Sequence, residues 1–194
     1  MKLVFATGNQ NKVKEIQALL PVSIELMGLL DIGCSEDIPE TQPTIEGNAA
    51  QKAFYVFEKY HHNCFADDTG LEIEALNGRP GVLSARYAGE AKDANANMDK
   101  ILTELKNETN RTAHFKTVIS LVIDGEEVQF EGVVEGTILK EKRGDKGFGY
   151  DPIFLPKDSD RSFAEMDVNE KNEISHRALA VKKLVAHLNK VMVG

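Results

Sequence analysis

Apolar and polar positions change period several times along this chain, and each change marks an element. Leu3 to Ala6 is a short β-prone run. Beyond a polar turn, Val13, Ile16, Leu19 and Leu20 recur at three- and four-residue spacing, which predicts a strand, a loop and a helix closed by Pro21. Ser23 to Leu26 reads as a short strand, and Ile38-Pro39-Glu40-Thr41 as a loop. A second helix, capped by Asn48, has Ala49, Ala53, Val56, Phe57 and Tyr60 as its apolar face. Asn63 to Ala66 reads as a buried strand with Asp67 and Asp68 at its carboxyl end, before an alternating strand from Leu71 to Leu76.

A Gly- and Pro-bearing loop follows, and Met98, Ile101, Leu102 and Leu105 mark a third helix. Ala113 to Ile123 and Glu127 to Leu139 flank Asp124-Gly125, a strong hairpin signal. Residues 140–152 form a loop rich in Lys, Arg and Gly. Ile174, Ala178, Val181, Leu184, Val185 and Leu188 predict a closing amphipathic helix. Strands and helices interleave without repeats, which favours the α/β class.

Composition narrows the function more than the fold. A chain of 194 residues with 42% hydrophobic and 28% charged residues suits one soluble domain, with room for a smaller lobe. The formal net charge of −8 argues against general affinity for nucleic acid polymers or an anionic membrane, but leaves room for a locally basic pocket. The two cysteines, Cys34 and Cys64, give neither a zinc spacing nor a disulfide framework. The opening residues enter a strand at once, without the apolar length of a signal peptide, and no apolar run reaches the ~18 residues of a membrane span. A cytoplasmic protein is expected.

The candidate chemistry lies at the element junctions. Paired carboxylates at Asp67-Asp68, placed where ligands bind α/β sheets, can hold a hard cation such as Mg²⁺ and orient a water; a plain Asp-rich turn accounts for them too. Thr7-Gly8-Asn9-Gln10-Asn11-Lys12 can cradle phosphate at a helix start, or be only an Asn-capped helix; it is not a Walker A loop. Asn48 and Lys52, four residues apart, can share a phosphate or a solvated face, and Glu40 can complete a carboxylate set. Gly147-Phe148-Gly149-Tyr150-Asp151-Pro152 offers a ring to stack on and an acceptor for ring N–H groups, or a turn with a buried Phe. Ser175 as a cap puts His176 and Arg177 in the first turn of the last helix, where the dipole disfavours cations. That conflict points to an anion or an oxygen-rich ligand there. His61 and His62 sit at a helix end and receive no role.

Taken together, these segments resemble the inosine triphosphate pyrophosphatase family. The matching pieces run in the family's order: TGNxxK at 7–12, NAxxKA at 48–53, ADDTGL at 66–71, PGxxSARYAG at 80–89, FGYDP at 148–152, then Lys171 and SHR at 175–177. Ile45-Glu46-Gly47-Asn48 departs from the family's Phe-Glu-Glu-Asn, so Glu46 and Gly47 receive no metal role, and Thr69 replaces a Ser while keeping the hydroxyl.

The resemblance implies a single nucleoside triphosphate pyrophosphatase domain over 1–194. It also implies an elongated two-lobed α/β fold, with a long twisted mixed sheet flanked by helices and the active site in the cleft between lobes. It implies a homodimer, Mg²⁺ dependence, and hydrolysis of ITP, dITP or XTP to the monophosphate and pyrophosphate. Asp68 matches the water-activating residue and a metal ligand, with Glu40 as the second ligand. Thr7, Gly8, Asn9, Gln10, Asn11, Lys12, Lys52 and Thr69 match triphosphate contacts. Phe148, Gly149, Tyr150, Asp151, Lys171, His176 and Arg177 match base and substrate contacts, while Arg86 lies in a matched segment without a settled role. Two alternatives stand beside this one: a related pyrophosphatase for modified pyrimidine nucleotides, and a nucleotide-sensing module without turnover.

Overall fold

The computed structural model describes residues 1–193. Its elements are β1 (Lys2–Phe5), α1 (Gln10–Gln17), β2 (Glu25–Met27), α2 (Ile45–Tyr60), β3 (Cys64–Ile73), β4 (Pro80–Gly81), α3 (Ala94–Glu104), β5 (Thr112–Ile123), β6 (Glu126–Ile138), β7 (Phe154–Pro156), α4 (Val168–Ile174) and α5 (His176–Val193). The strands are ordered β2-β1-β3-β5-β6-β7, with β4 on β3. β1 pairs parallel with β2 and with β3, whereas β3 with β4 and β6 with β7 pair antiparallel, so the sheet is mixed. The α/β class is confirmed.

The chain segregates into two compact units. The first holds Met1–Asp68, Thr117–Gly132 and the segment from Arg177; the second holds Thr69–Lys116 and Val133–His176. β3, β5 and β6 therefore each contribute residues to both.

In the first unit the strand period of two sorts side chains into two layers. Leu3 and Phe5 of β1 and Phe65 of β3 pack with Ile16 of α1 and with Ala180, Val181, Leu184 and Leu188 of α5. Val4, Ala6, Cys64 and Ala66 point the other way, against Ala53 and Val56 of α2. Phe5 and Phe65 stack with centroids 4.6 Å apart, which fixes the register of the two strands. Each fully buried Leu or Phe here contributes about 1.5–3 kcal/mol. The second unit has its own core, in which Leu71 and Ile73 pack with Met98 and Ile101 of α3 and with Leu105 just beyond it, and Phe115, Phe154 and Phe163 form an aromatic cluster.

Several boundaries differ from the sequence reading, for identifiable reasons. α1 stops at Gln17, ahead of Pro21, because the Ile16 carbonyl takes the N–H groups of Leu19 and Leu20 in a tight turn. α2 is capped by Thr44, whose hydroxyl accepts from Gly47 N, so Asn48 lies within the first turn. Asp67 and Asp68 do not end a strand; β3 runs unbroken from Cys64 to Ile73 and both sit within it. α4 and β7 went unrecognised. The signal for α4 was present as a capping box, in which Asp167 accepts from the N–H of Asn169 and Glu170 while Glu170 returns to Asp167 N. The Asp124-Gly125 hairpin is as expected, with both residues at positive φ (52° and 89°), the type I′ requirement.

Candidate active site

The alternation that builds the first unit also addresses its two aspartates to different layers. Asp67 shares the face of Phe65, toward α1 and α5; Asp68 shares the face of Cys64 and Ala66, toward α2. Asp67 is fully buried and accepts from Lys12 Nζ at 3.0 Å, while Arg177 Nε lies 3.4 Å away. The same guanidinium donates through Nη1 to Glu15, a buried carboxylate three residues after Lys12 on α1. Burial alone would raise the Asp67 pKa, but Lys12, Arg177 and Lys52 outweigh it and hold it down at about 2. Lys12 is shifted down, by burial first and then by Lys52 and Arg177, against the pull of Asp67.

On the other face, Lys52 is the hub. Its Nζ donates to Glu40 Oε1 at 2.6 Å and lies 3.9 Å from Asp68 Oδ1, with the lysine side chain 7% exposed. Burial disfavours the ammonium, yet Asp68, Glu40 and Asp67 more than compensate and raise its pKa. Asp68 is raised by burial, with Glu40 and Asp67 adding to the effect against Lys52 and Lys12. Its neighbour on the strand is thus a firmly ionised anchor, whereas Asp68 is a carboxylate tuned toward accepting a proton. Among the described residues no three His, Cys, Asp or Glu side chains gather as a self-sufficient metal cage. Glu40 and Asp68 are instead two hard oxygen donors sharing one cation, the Lys52 ammonium. This suits a divalent ion that takes its remaining ligands from phosphate and water.

The turn at residues 7–12 is built from its own side chains. Asn9 caps α1, its Oδ1 accepting from Asn11 N and Lys12 N, and Thr7 Oγ1 accepts from Asn9 N. Gly8, Asn9, Gln10 and Asn11 are exposed. Asn48, read as a phosphate ligand, accepts from Gln42 N.

In the second unit Asp151, Phe148 and Lys171 come together. Asp151 Oδ2 accepts from Phe148 N at 2.9 Å and from Lys171 Nζ at 2.7 Å, and that ammonium lies 4.9 Å from the Phe148 ring centroid. Gly147 has φ +69°, and a Cβ there would meet the Asp151 carboxylate at 2.1 Å. Its lack of a side chain is required by that acid as well as by the turn. Tyr150 is tied down at its hydroxyl, which donates to Ser84 O at 2.6 Å. Asn97 of α3 donates to Ala85 O and accepts from Ala88 N, so the 80–89 segment is pinned from α3 and from Tyr150 alike. Gly149, at φ +62°, turns the chain between Phe148 and Tyr150. Thr69 is half-buried on β3, and Arg86 closes a short 3₁₀ turn. His176 is buried, its ring stacked on Phe115 at 4.6 Å and edge-on to Phe163.

His176 and Arg177 do open a helix, α5, as expected. The oxygen-rich partners that relieve the dipole conflict at Arg177 are the protein's own Asp67 and Glu15. Glu15 escaped the sequence reading. An acid beside Ile16, three residues beyond Lys12 and hence on the same helix side, was the available signal.

Comparison with known proteins fits this arrangement. The chain is 58% identical to a dITP/XTP pyrophosphatase of Flavobacterium psychrophilum, covering 95% of this chain and 97% of that protein. It is 50% identical to a dITP/XTP pyrophosphatase of Bacillus subtilis, covering 93% of each. Among solved structures, the Staphylococcus aureus Ham1 protein superposes with a TM-score of 0.90 at 40% identity, covering 98% of this chain and 99% of that one. The model of the Ham1 family matches residues 3–187, a span that includes every candidate residue above, and on that match the chain belongs to the Ham1 family.

Proposed function

We propose that this protein hydrolyses non-standard purine nucleoside triphosphates (ITP, dITP and XTP) to the monophosphate and pyrophosphate, with Mg²⁺ held by Glu40 and Asp68. The observation that carries the reading is the Glu40–Lys52–Asp68 cluster, a buried cation flanked by two carboxylates, one of them raised in pKa. The names of the relatives support the substrate class. When bound, the metal supplies positive charge to the phosphate oxygens and the leaving pyrophosphate.

The chain's own groups do the rest. Asp68 accepts the proton of the attacking water; a carboxylate with an elevated pKa is the better base near neutrality. Lys12 and Lys52 offset the substrate's negative charge and the charge that develops on the departing group. Thr7 to Asn11 offer hydroxyl, amide and backbone donors to the phosphates, and Thr69 a further hydroxyl. Phe148 gives a face for the base, backed by Lys171 and Asp151. His176 and Arg177 are donors suited to a 6-oxo group, where adenine presents a donor instead. One unsatisfied buried polar group costs about 1–3 kcal/mol.

The decisive assay follows ITP, XTP, ATP and GTP by phosphorus NMR with and without Mg²⁺. Pyrophosphate release from ITP and XTP is expected, with turnover falling at least ~10²-fold on chelation. Equal rates with ATP, or orthophosphate as the sole product, would overturn the reading. Arg177→Ala is expected to narrow the ITP over ATP ratio in kcat/KM about tenfold or more. It should also lower Tm, since Asp67 and Glu15 lose their shared cation. A changed Tm with an unchanged ratio would make Arg177 purely structural.

A further inference from the structure

The loop that delivers Glu40 is fastened along one side of α2, in reversed order. Gln42 N donates to Asn48 Oδ1 at 2.9 Å. Thr41 exchanges two bonds with Gln51, its N–H donating to Oε1 and its hydroxyl accepting from Nε2, each 2.9 Å. Lys52 takes Glu40. Positions 48, 51, 52, 55 and 59 recur every three or four residues, so they share a helix side. Gly47 lets the loop lie this close, since a Cβ there would meet Gln42 Cβ at 2.8 Å.

The upstream end of the same loop is held by a group that the proposed reaction does not use. A single oxygen of Glu36, Oε1, accepts from Tyr55 Oη at 2.9 Å, Tyr60 Oη at 2.6 Å and Lys59 Nζ. Lys59 also lies over the Tyr55 and Tyr60 rings, 5.3 and 5.6 Å from their centroids. The Lys59 ammonium and the two hydroxyls hold the Glu36 carboxyl well below the usual carboxylate range. Lys59 is seven residues beyond Lys52, about two helical turns or ~10 Å along the axis. Glu36 therefore does not act on the reacting atoms directly.

We propose that Glu36 is a positioning residue for Glu40: by clamping the near end of this loop to α2 it keeps the Glu40 carboxylate beside Lys52 and Asp68, and so sets the affinity for the divalent cation. Only three residues separate Glu36 from Glu40, with Pro39 among them to stiffen the link. With the clamp removed, the loop samples placements in which Glu40 is away from Asp68, and apparent affinity falls by the fraction of time it is misplaced.

The inference rests on the reading of Glu40 and Asp68 as cation ligands, and its test separates the two. Mn²⁺ is titrated into the full chain and followed by electron paramagnetic resonance without nucleotide. Separately, the Mg²⁺ concentration for half-maximal ITP turnover is measured. Glu36→Ala should weaken Mn²⁺ binding and raise the Mg²⁺ requirement about tenfold, with kcat at saturating Mg²⁺ within about twofold of the unaltered protein. Glu36→Gln, whose amide oxygen still accepts from both tyrosines, should recover part of the loss. Tyr60→Phe, which keeps the ring and deletes one hydroxyl, should move both readouts in the same direction by less, and carries the test if the alanine variant does not fold. A metal-dependent wild type with Glu36→Ala unchanged in both readouts overturns the role of Glu36 alone. A wild type that binds no Mn²⁺ and turns over ITP without Mg²⁺ overturns the cation site as well.

Discussion

Asp68→Asn should bind ITP about as well as the unaltered protein and turn it over about 10²–10⁴-fold more slowly. The substitution is nearly isosteric. It keeps an oxygen near Lys52 but removes the group able to take a proton from water, along with half of the carboxylate pair offered to the metal. Because Lys52 would then face Glu40 alone, its ammonium remains paired at 2.6 Å and the fold should tolerate the change. The effect therefore belongs in kcat, with KM near its original value. Steady-state kinetics at saturating Mg²⁺, with Tm measured alongside, separate this from unfolding. A variant at near full rate would remove Asp68 from the chemistry.

Asp67→Asn should do the opposite, acting first on stability. Here the lost charge leaves the part-buried Lys12 and the buried Arg177 together without the acid between them. Breaking a buried ion pair on one side typically costs about 3–5 kcal/mol. For a chain this long, each kcal/mol lowers Tm by about 2–4 °C, so a fall on the order of 10 °C is expected. The pH dependence carries the same signature. Asp67 titrates at about 2 in the folded protein against an ordinary 3.8, so its contribution is complete above the ordinary value and is lost as pH falls through about 2. Urea unfolding of the two proteins at a series of pH values should show their difference shrinking below pH 4 and constant above it. A constant gap down to pH 2 would mean that the charge of Asp67 is not what stabilises the fold.

These contrasting roles were only half legible in the sequence. The alternation that made Leu3 to Ala6 a strand, the apolar face of α2 and the Asp-Gly hairpin could be read directly, because each is set by neighbours in the chain. The unbroken course of β3 could not. Asp is disfavoured in strands, and what overrides that preference comes from Lys12, 55 residues away, and Arg177, 110 residues away. The motif residues were nameable, but their partners were not. Nothing local to Arg177 announced Glu15, and nothing in Gly147 distinguished room for a ligand from room for Asp151. Glu36 was invisible for a similar reason, since its three donors, Tyr55, Lys59 and Tyr60, lie 19 to 24 residues away on a helix, where Tyr60 reads simply as part of the apolar face.

Neighbouring aspartates on a strand have one further consequence. Deleting a single residue between Cys64 and Ala66 would leave the amino-acid inventory almost untouched, yet exchange the destinations of the two acids, because side chains reverse direction at every step. The anchor would then face the lysine of α2 and the proton acceptor the arginine of α5. A change of length in a surface loop would leave both acids where they are, but the spacing from Phe65 to Asp68 admits no such drift.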